Sequence, residues 1–197
     1  MTQDQSKHEW DILNPNDQKL LQESFVEFKL YPDRIQSENH QLFQNLKYLV
    51  EKYPNNPIPL NHLKALYLHI GRIDKAHEMI IEAYERFPYY LFAKAARANL
   101  YLLTDEIEKF LEVYGEAQTL TQLYPHREVF HIDEVKALHG SLLQYYCQIG
   151  NLTCATNQYE FLEKIMIQLG IQNDPDFLNM QTAYWDLVPP NFAKLLV

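Results

Sequence analysis

The chain has 197 residues, 47% of them hydrophobic, with 26 acidic against 17 basic side chains and a formal net charge of −9. That length buries a core without covalent staples, and its two cysteines, Cys147 and Cys154, stand outside any CxxC spacing and indicate neither a zinc site nor a secreted disulfide framework. The acidic balance without a basic cluster argues against nucleic acid as a partner, no stretch approaches the apolar run of a membrane span, and the start "MTQDQSKHEWDILNPND" lacks the basic and apolar regions of a signal, so the chain reads as cytoplasmic.

Scarce Gly and abundant Leu, Glu, Gln, Lys and Ala favour helix over strand. Helices are expected at about 17–30 and 38–53, irregular because Pro32 cannot sit inside one. In "NHLKALYLH" the residues Leu63, Leu66, Tyr67 and Ile70 form the stripe of an amphipathic helix, and Gly71 ends it. The following helix starts near Asp74, puts Ala76, Ile80, Ala83, Tyr84 and Phe87 on one face, and stops at Pro88. These two helices make a hairpin that cannot bury its apolar faces alone, so copies are expected. Pro54 lies 34 residues before Pro88. At an offset of 79, "LHGSLLQYYCQIGNLTCATNQYEFLEKI" pairs Tyr67 with Tyr146, Ile70 with Ile149, Gly71 with Gly150 and Ala76 with Ala155.

On Tyr67, Gly71, Ala76, Ala83 and Pro88 the chain resembles the tetratricopeptide repeat (TPR) family, departing from it at Leu60, where the family often has Trp, and at Lys64, where it has a small residue. Ala98, Tyr101, Phe110, Tyr114 and Ala117 fall on the pattern of a next unit. Its turn "LLTDEIEK" is read with Thr104 or Asp105 as N-cap, its second helix is read as long, and about eleven extra residues around "YPHREVFHIDE" follow. The last unit keeps Tyr146, Gly150 and Ala155 but has Leu162 for the second small residue and Ile167 for the Pro. Asp174 as N-cap and Pro175 as first helical residue open a capping helix. The resemblance implies an all-α fold, a right-handed superhelical stack of antiparallel hairpins of the α-solenoid type closed by a C-terminal capping helix. It implies one helical-repeat domain over 1–197, with units at about 17–56, 57–90, 91–135 and 136–169 and the cap and tail at 170–197.

Catalysis has little to stand on. No GxSxG, P-loop or dinucleotide fingerprint occurs, and neither cysteine has the setting of a nucleophile. His62 and His69 share a helix face without the further ligands of a tetrahedral metal site, and His126, His131, Asp133 and Glu134 in "HREVFHIDE" read as a polar connection that caps the next helix. No cofactor or metal is expected. By the resemblance, Asn61, His62, His69, Phe92, Asn99, Gln144 and Gln148 face a concave groove. There the amides would hold an extended peptide and Phe92 would line a pocket. The function implied is a non-catalytic scaffold for another protein's peptide segment. A Lys and Arg clamp for a carboxylate is missing, since Asn61, Ala65 and Ala96 stand at its places. The alternative is a homo-oligomer whose apolar tail "WDLVPPNFAKLLV" docks on a neighbouring copy, with Trp10 acting likewise at the other end, and a third reading is a hydrolase or metal-dependent enzyme built around His126 and His131.

Overall fold

The computed structural model describes residues 13–187, and every regular element among them is helical. In chain order these are α1 Pro15–Leu30, α2 Gln41–Lys52, α3 Pro57–His69, α4 Ile73–Arg86, α5 Leu91–Leu103, α6 Ile107–Tyr114, α7 Leu120–Leu123, α8 Ile132–Gln148, α9 Leu152–Gln168 and α10 Pro175–Leu187, with a 3-10 turn at Pro32–Arg34. The chain divides into two compact units, Met1–Arg97 and Ala98–Val197.

Three helices open on the same local chemistry, a short polar side chain followed by proline. Asn14 accepts from the Asp17 amide, Asn56 from the Ile58 amide and Asp174 from the Phe177 amide, while Pro15, Pro57 and Pro175 occupy a first turn whose N–H groups have no helical acceptor. The Asp174 cap stands where the sequence placed it.

Two devices end the helices. At Tyr31, Tyr53, Phe87 and Tyr124 an aromatic residue precedes proline and takes φ between −134° and −122°, outside the helical basin, because the proline ring crowds the backbone before it. A turn closes each stop: the amides of Arg34, Asn56, Tyr90 and Arg127 donate to the carbonyls of Tyr31, Tyr53, Phe87 and Tyr124 at 3.0–3.1 Å. The second device is a left-handed residue. Gly71, at φ 74°, lets the Arg72 amide reach back to the Tyr67 carbonyl at 2.9 Å, and Gly150, at φ 69°, lets Asn151 reach Tyr146 at 2.9 Å.

Asp105 makes the same turn without being glycine. Its φ is 60°, and the Glu106 amide donates to the Tyr101 carbonyl at 2.9 Å. The reading of Thr104 or Asp105 as an N-cap is therefore corrected: α6 has Glu106 at its N-cap with no side-chain cap, and Thr104 Oγ1 donates back to the Leu100 carbonyl at 3.0 Å. Aspartate is among the few non-glycine residues that visit this region at modest cost. The long second helix expected there is also corrected. It has eight residues, because Gly115 at φ 62° ends it and the polar "GEAQ" offers no apolar face to continue.

In the first unit α1 packs on α2 and α3, α2 on α3, and α3 on α4. Leu21, Leu42, Phe43, Leu46, Leu49, Leu63, Leu66 and Tyr67 fill the seam, and Ala76 at 0% exposure lets α4 approach closely. In the second unit α8 and α9 form a hairpin against which α10 packs. Tyr159 stacks on Tyr184 with centroids 4.4 Å apart, and Gly140 admits Met180, whose methyl would lie 2.5 Å from any added Cβ.

Candidate functional site

The residues expected to line a groove separate into exposed, half-buried and internally engaged groups. In the first unit Asn61 is half-buried, and its Oδ1 accepts from Lys64 Nζ at 2.7 Å. Lys64, itself half-buried where the resembled family has a small residue, is pulled down to about 8 by burial. His62 meets Phe25 edge-on at 5.3 Å and lines a crevice with Ser24, Phe28, Leu42, Leu46 and Leu66 that is too narrow for a water molecule. Burial, with a smaller push from Lys64, brings the His62 imidazole to about 4, so it is neutral at physiological pH. Ser24 Oγ is buried there without a hydrogen-bond partner. His69 is exposed, with Nε2 2.9 Å from the Pro32 carbonyl, which makes Nε2 the protonated nitrogen, and its ring meets Phe28 edge-on at 5.4 Å. Phe92 is half-buried beside Tyr90.

In the second unit Asn99 is half-buried and its Oδ1 is enclosed without a partner, so this amide is committed to the interior more than its position in the pattern implied. Gln148 donates to the Leu102 carbonyl at 3.2 Å. Gln144 is exposed. Burial raises the half-buried Cys147 thiol above its ordinary value, the opposite of nucleophile activation.

The "HREVFHIDE" segment is built as a cap. His131 Nδ1 accepts from the Asp133 amide at 3.2 Å, Glu134 Oε2 accepts from the His131 amide at 2.9 Å, and Arg127 grips the buried Glu134 carboxylate in two bonds of 2.8 and 2.9 Å. Among the described residues no group of three or more His, Cys, Asp and Glu is placed to hold a metal ion, and no helix is long and apolar enough to cross a membrane.

Sequence reasoning did not anticipate three charged centres. Glu38 accepts from Lys75 at 2.7 Å, Arg72 at 2.7 Å and the Tyr67 hydroxyl at 3.1 Å, and its carboxyl is held below the ordinary range, chiefly by Lys75. Buried Asp17 pairs with Lys52 at 2.7 Å and accepts from the Tyr53 hydroxyl at 2.6 Å, and Lys52 leads in lowering its pKa. Lys136 links Asp133 at 3.1 Å with Asp174 at 3.0 Å, tying the start of α8 to the start of α10. These pairs join separate helices or a loop to a helix, a role that hydropathy patterns do not encode.

Trp10, Phe192, Leu195 and Leu196 lie outside the described residues. Trp185 is half-exposed and packs against Tyr159 and Tyr184 at 6.0 and 5.2 Å. Compared with family models, curated proteins and solved structures, the chain matches none.

Proposed function

We propose that the chain is a cytoplasmic, non-catalytic interaction scaffold of the tetratricopeptide kind, a right-handed stack of hairpins that holds a peptide segment of another protein on the first-helix faces of those hairpins. The observation that supports it is the recurring closure at Tyr67–Gly71, Tyr101–Asp105 and Tyr146–Gly150, in which one hydrogen-bond pattern turns the chain from a first helix into a second. Stacked hairpins bury their seams and leave the first-helix faces for binding. His69, Gln144 and Gln148 are the exposed contacts of this reading, with Asn61, His62 and Phe92 contributing partly covered surface.

The test is affinity capture from source-cell lysate with the wild-type chain, a His69→Glu variant and a Gln144→Arg variant, followed by titration of the retained protein's peptides. Both substitutions fall on exposed side chains and leave the core intact. A protein held by the wild type, lost from both variants and bound as an isolated segment is the expected result. Retention unchanged by either variant contradicts the reading.

A further inference from the structure

Lys64 stands on α3 where the packing does not call for an amine. At the offset of 79 that aligns the two hairpins its counterpart is Leu143, a buried core residue, and Leu60, one turn before Lys64, packs with Ala83 and Ala93. Lys64 is itself half-buried. Lys47, Lys52, Lys75, Lys109 and Lys136 each meet a carboxylate, whereas among the described residues Lys64 pairs with none. Its Nζ donates to Asn61 Oδ1 at 2.7 Å, a neutral acceptor. An enclosed ammonium without a counter-charge is disfavoured against the free amine, and burial moves Lys64 in that direction, to about 8.

The amide beside it supplies a second element. Asn61 turns its oxygen to Nζ, and among the described residues its NH2 group has no hydrogen-bond partner. Oxygen and nitrogen of one carboxamide sit on the same carbon, so a free donor stands next to the nucleophile, within reach of the oxygen of a carbonyl that Nζ attacks. Leu60 and Tyr67, one turn to either side of Lys64, are buried and uncharged. That setting, in a chain of net charge −9, suits an uncharged electrophile and not a phosphorylated or carboxylated one.

We infer that Lys64 is a covalent capture site for small uncharged aldehydes, with Asn61 holding the reacting oxygen. The lone pair of the neutral Nζ attacks the carbonyl carbon. The carbonyl oxygen, hydrogen-bonded by the Asn61 NH2 group, takes the two protons that Nζ gives up through solvent and leaves as water. Amine and aldehyde thus become imine and water, and neither an oxidant nor a reductant is consumed. The site requires no second protein and is independent of the peptide-binding reading.

The experiment is reductive alkylation of the full chain at pH 7 with limiting propanal and cyanoborohydride, which fixes the imine, followed by peptide mass spectrometry of every lysine. At that pH about a tenth of an amine with a value near 8 is neutral, against fewer than about one in a thousand for an ordinary lysine. Lower basicity gives back part of that gain, as it does for thiols, so Lys64 should be labelled about tenfold faster than the exposed Lys19, Lys29 and Lys164. Its rate should reach half its maximum near pH 8. Asn61→Asp keeps the side chain's shape and adds the missing counter-charge. In a variant whose circular dichroism matches the wild type, it should slow Lys64 at pH 7 to the rate of the exposed lysines. Wild-type Lys64 labelled no faster than those three, or a rate still climbing at pH 10 as for a lysine in water, overturns the site. Labelling of Lys64 in Asn61→Asp as fast as in the wild type overturns it as well.

Discussion

The hairpin of α3 and α4 turns at Gly71 and that of α8 and α9 at Gly150, each with an amide two places on reaching back to a tyrosine carbonyl at 2.9 Å. Both second helices begin two residues after the glycine, yet α4 has 14 residues and α9 has 17. The difference lies at one position. Pro88 forces Phe87 out of the helical basin and stops α4, whereas its counterpart Ile167 lets α9 continue until Gly170 ends it in the left-handed conformation, φ 67°. Turn residues thus set where a hairpin begins, and a separate signal sets its length. The segment between the two hairpins shows what happens when that second signal comes early: Gly115 cuts α6 to eight residues.

The shared part of the two hairpins is the part most sensitive to change. Ala76 and Ala155 occupy equivalent positions at 0% exposure, so Ala76→Arg and Ala155→Arg should each cost about 4 kcal/mol or abolish cooperative unfolding in urea, through overpacking and an uncompensated buried charge. Similar losses at both positions support equivalence, and a tolerated Ala155→Arg breaks it. The divergent part follows. Ile167→Pro imports the α4 stop into α9 and should cost about 3 kcal/mol, together with a measurable loss of helical dichroism.

A pH dependence sharpens the comparison further, because His62 has Ser141 as its counterpart. With its folded pKa depressed to about 4 from an ordinary 6.5, His62 binds its proton first in the unfolded chain, so stability falls as pH drops from 6.5 toward 4 and the loss is complete below that window. About 3 kcal/mol should disappear across it. His62→Ser should remove that share of the slope, leaving the loss at lower pH expected from Asp17 and Glu38, whose carboxyls are held low by their cations. Denaturant titrations of both chains at pH 7, 5 and 4 read this directly, and identical slopes would contradict the buried-imidazole account.

The smallest expected effect concerns the turn itself. Asp105→Gly should stabilise the chain by about 0.5–1 kcal/mol by relieving the cost of a side chain at φ 60°, while Gly71→Ala and Gly150→Ala should destabilise it by about 1 kcal/mol each. Thermal melts of the three variants give the signs.

Much of this architecture was legible in the sequence because its signals are local. Gly71, Gly150, Pro54, Pro88 and the Asp174–Pro175 start act within a turn or two of themselves, and the expected helices at about 17–30 and 38–53 fall close to Pro15–Leu30 and Gln41–Lys52. Asp105 was misread because aspartate is commoner as an N-cap than as a left-handed residue, and both roles put it beside a helix start. The charged centres at Glu38 and Asp17 were not legible, since their partners lie 29–37 and 35–36 residues away. The candidate binding residues were legible only as positions. Whether Asn99 shows its amide to solvent or encloses it depends on neighbouring helices, and the structure encloses the oxygen.

The claim beneath all of this is that three turns share one closure. Amide hydrogen exchange at Arg72, Glu106 and Asn151 tests it most directly, because these N–H groups are bonded only if Gly71, Asp105 and Gly150 are left-handed. The account predicts slowed exchange at all three, with Glu106 protected like the other two despite the aspartate before it. Exchange at Glu106 as fast as in an unfolded chain, beside protected Arg72 and Asn151, would contradict it.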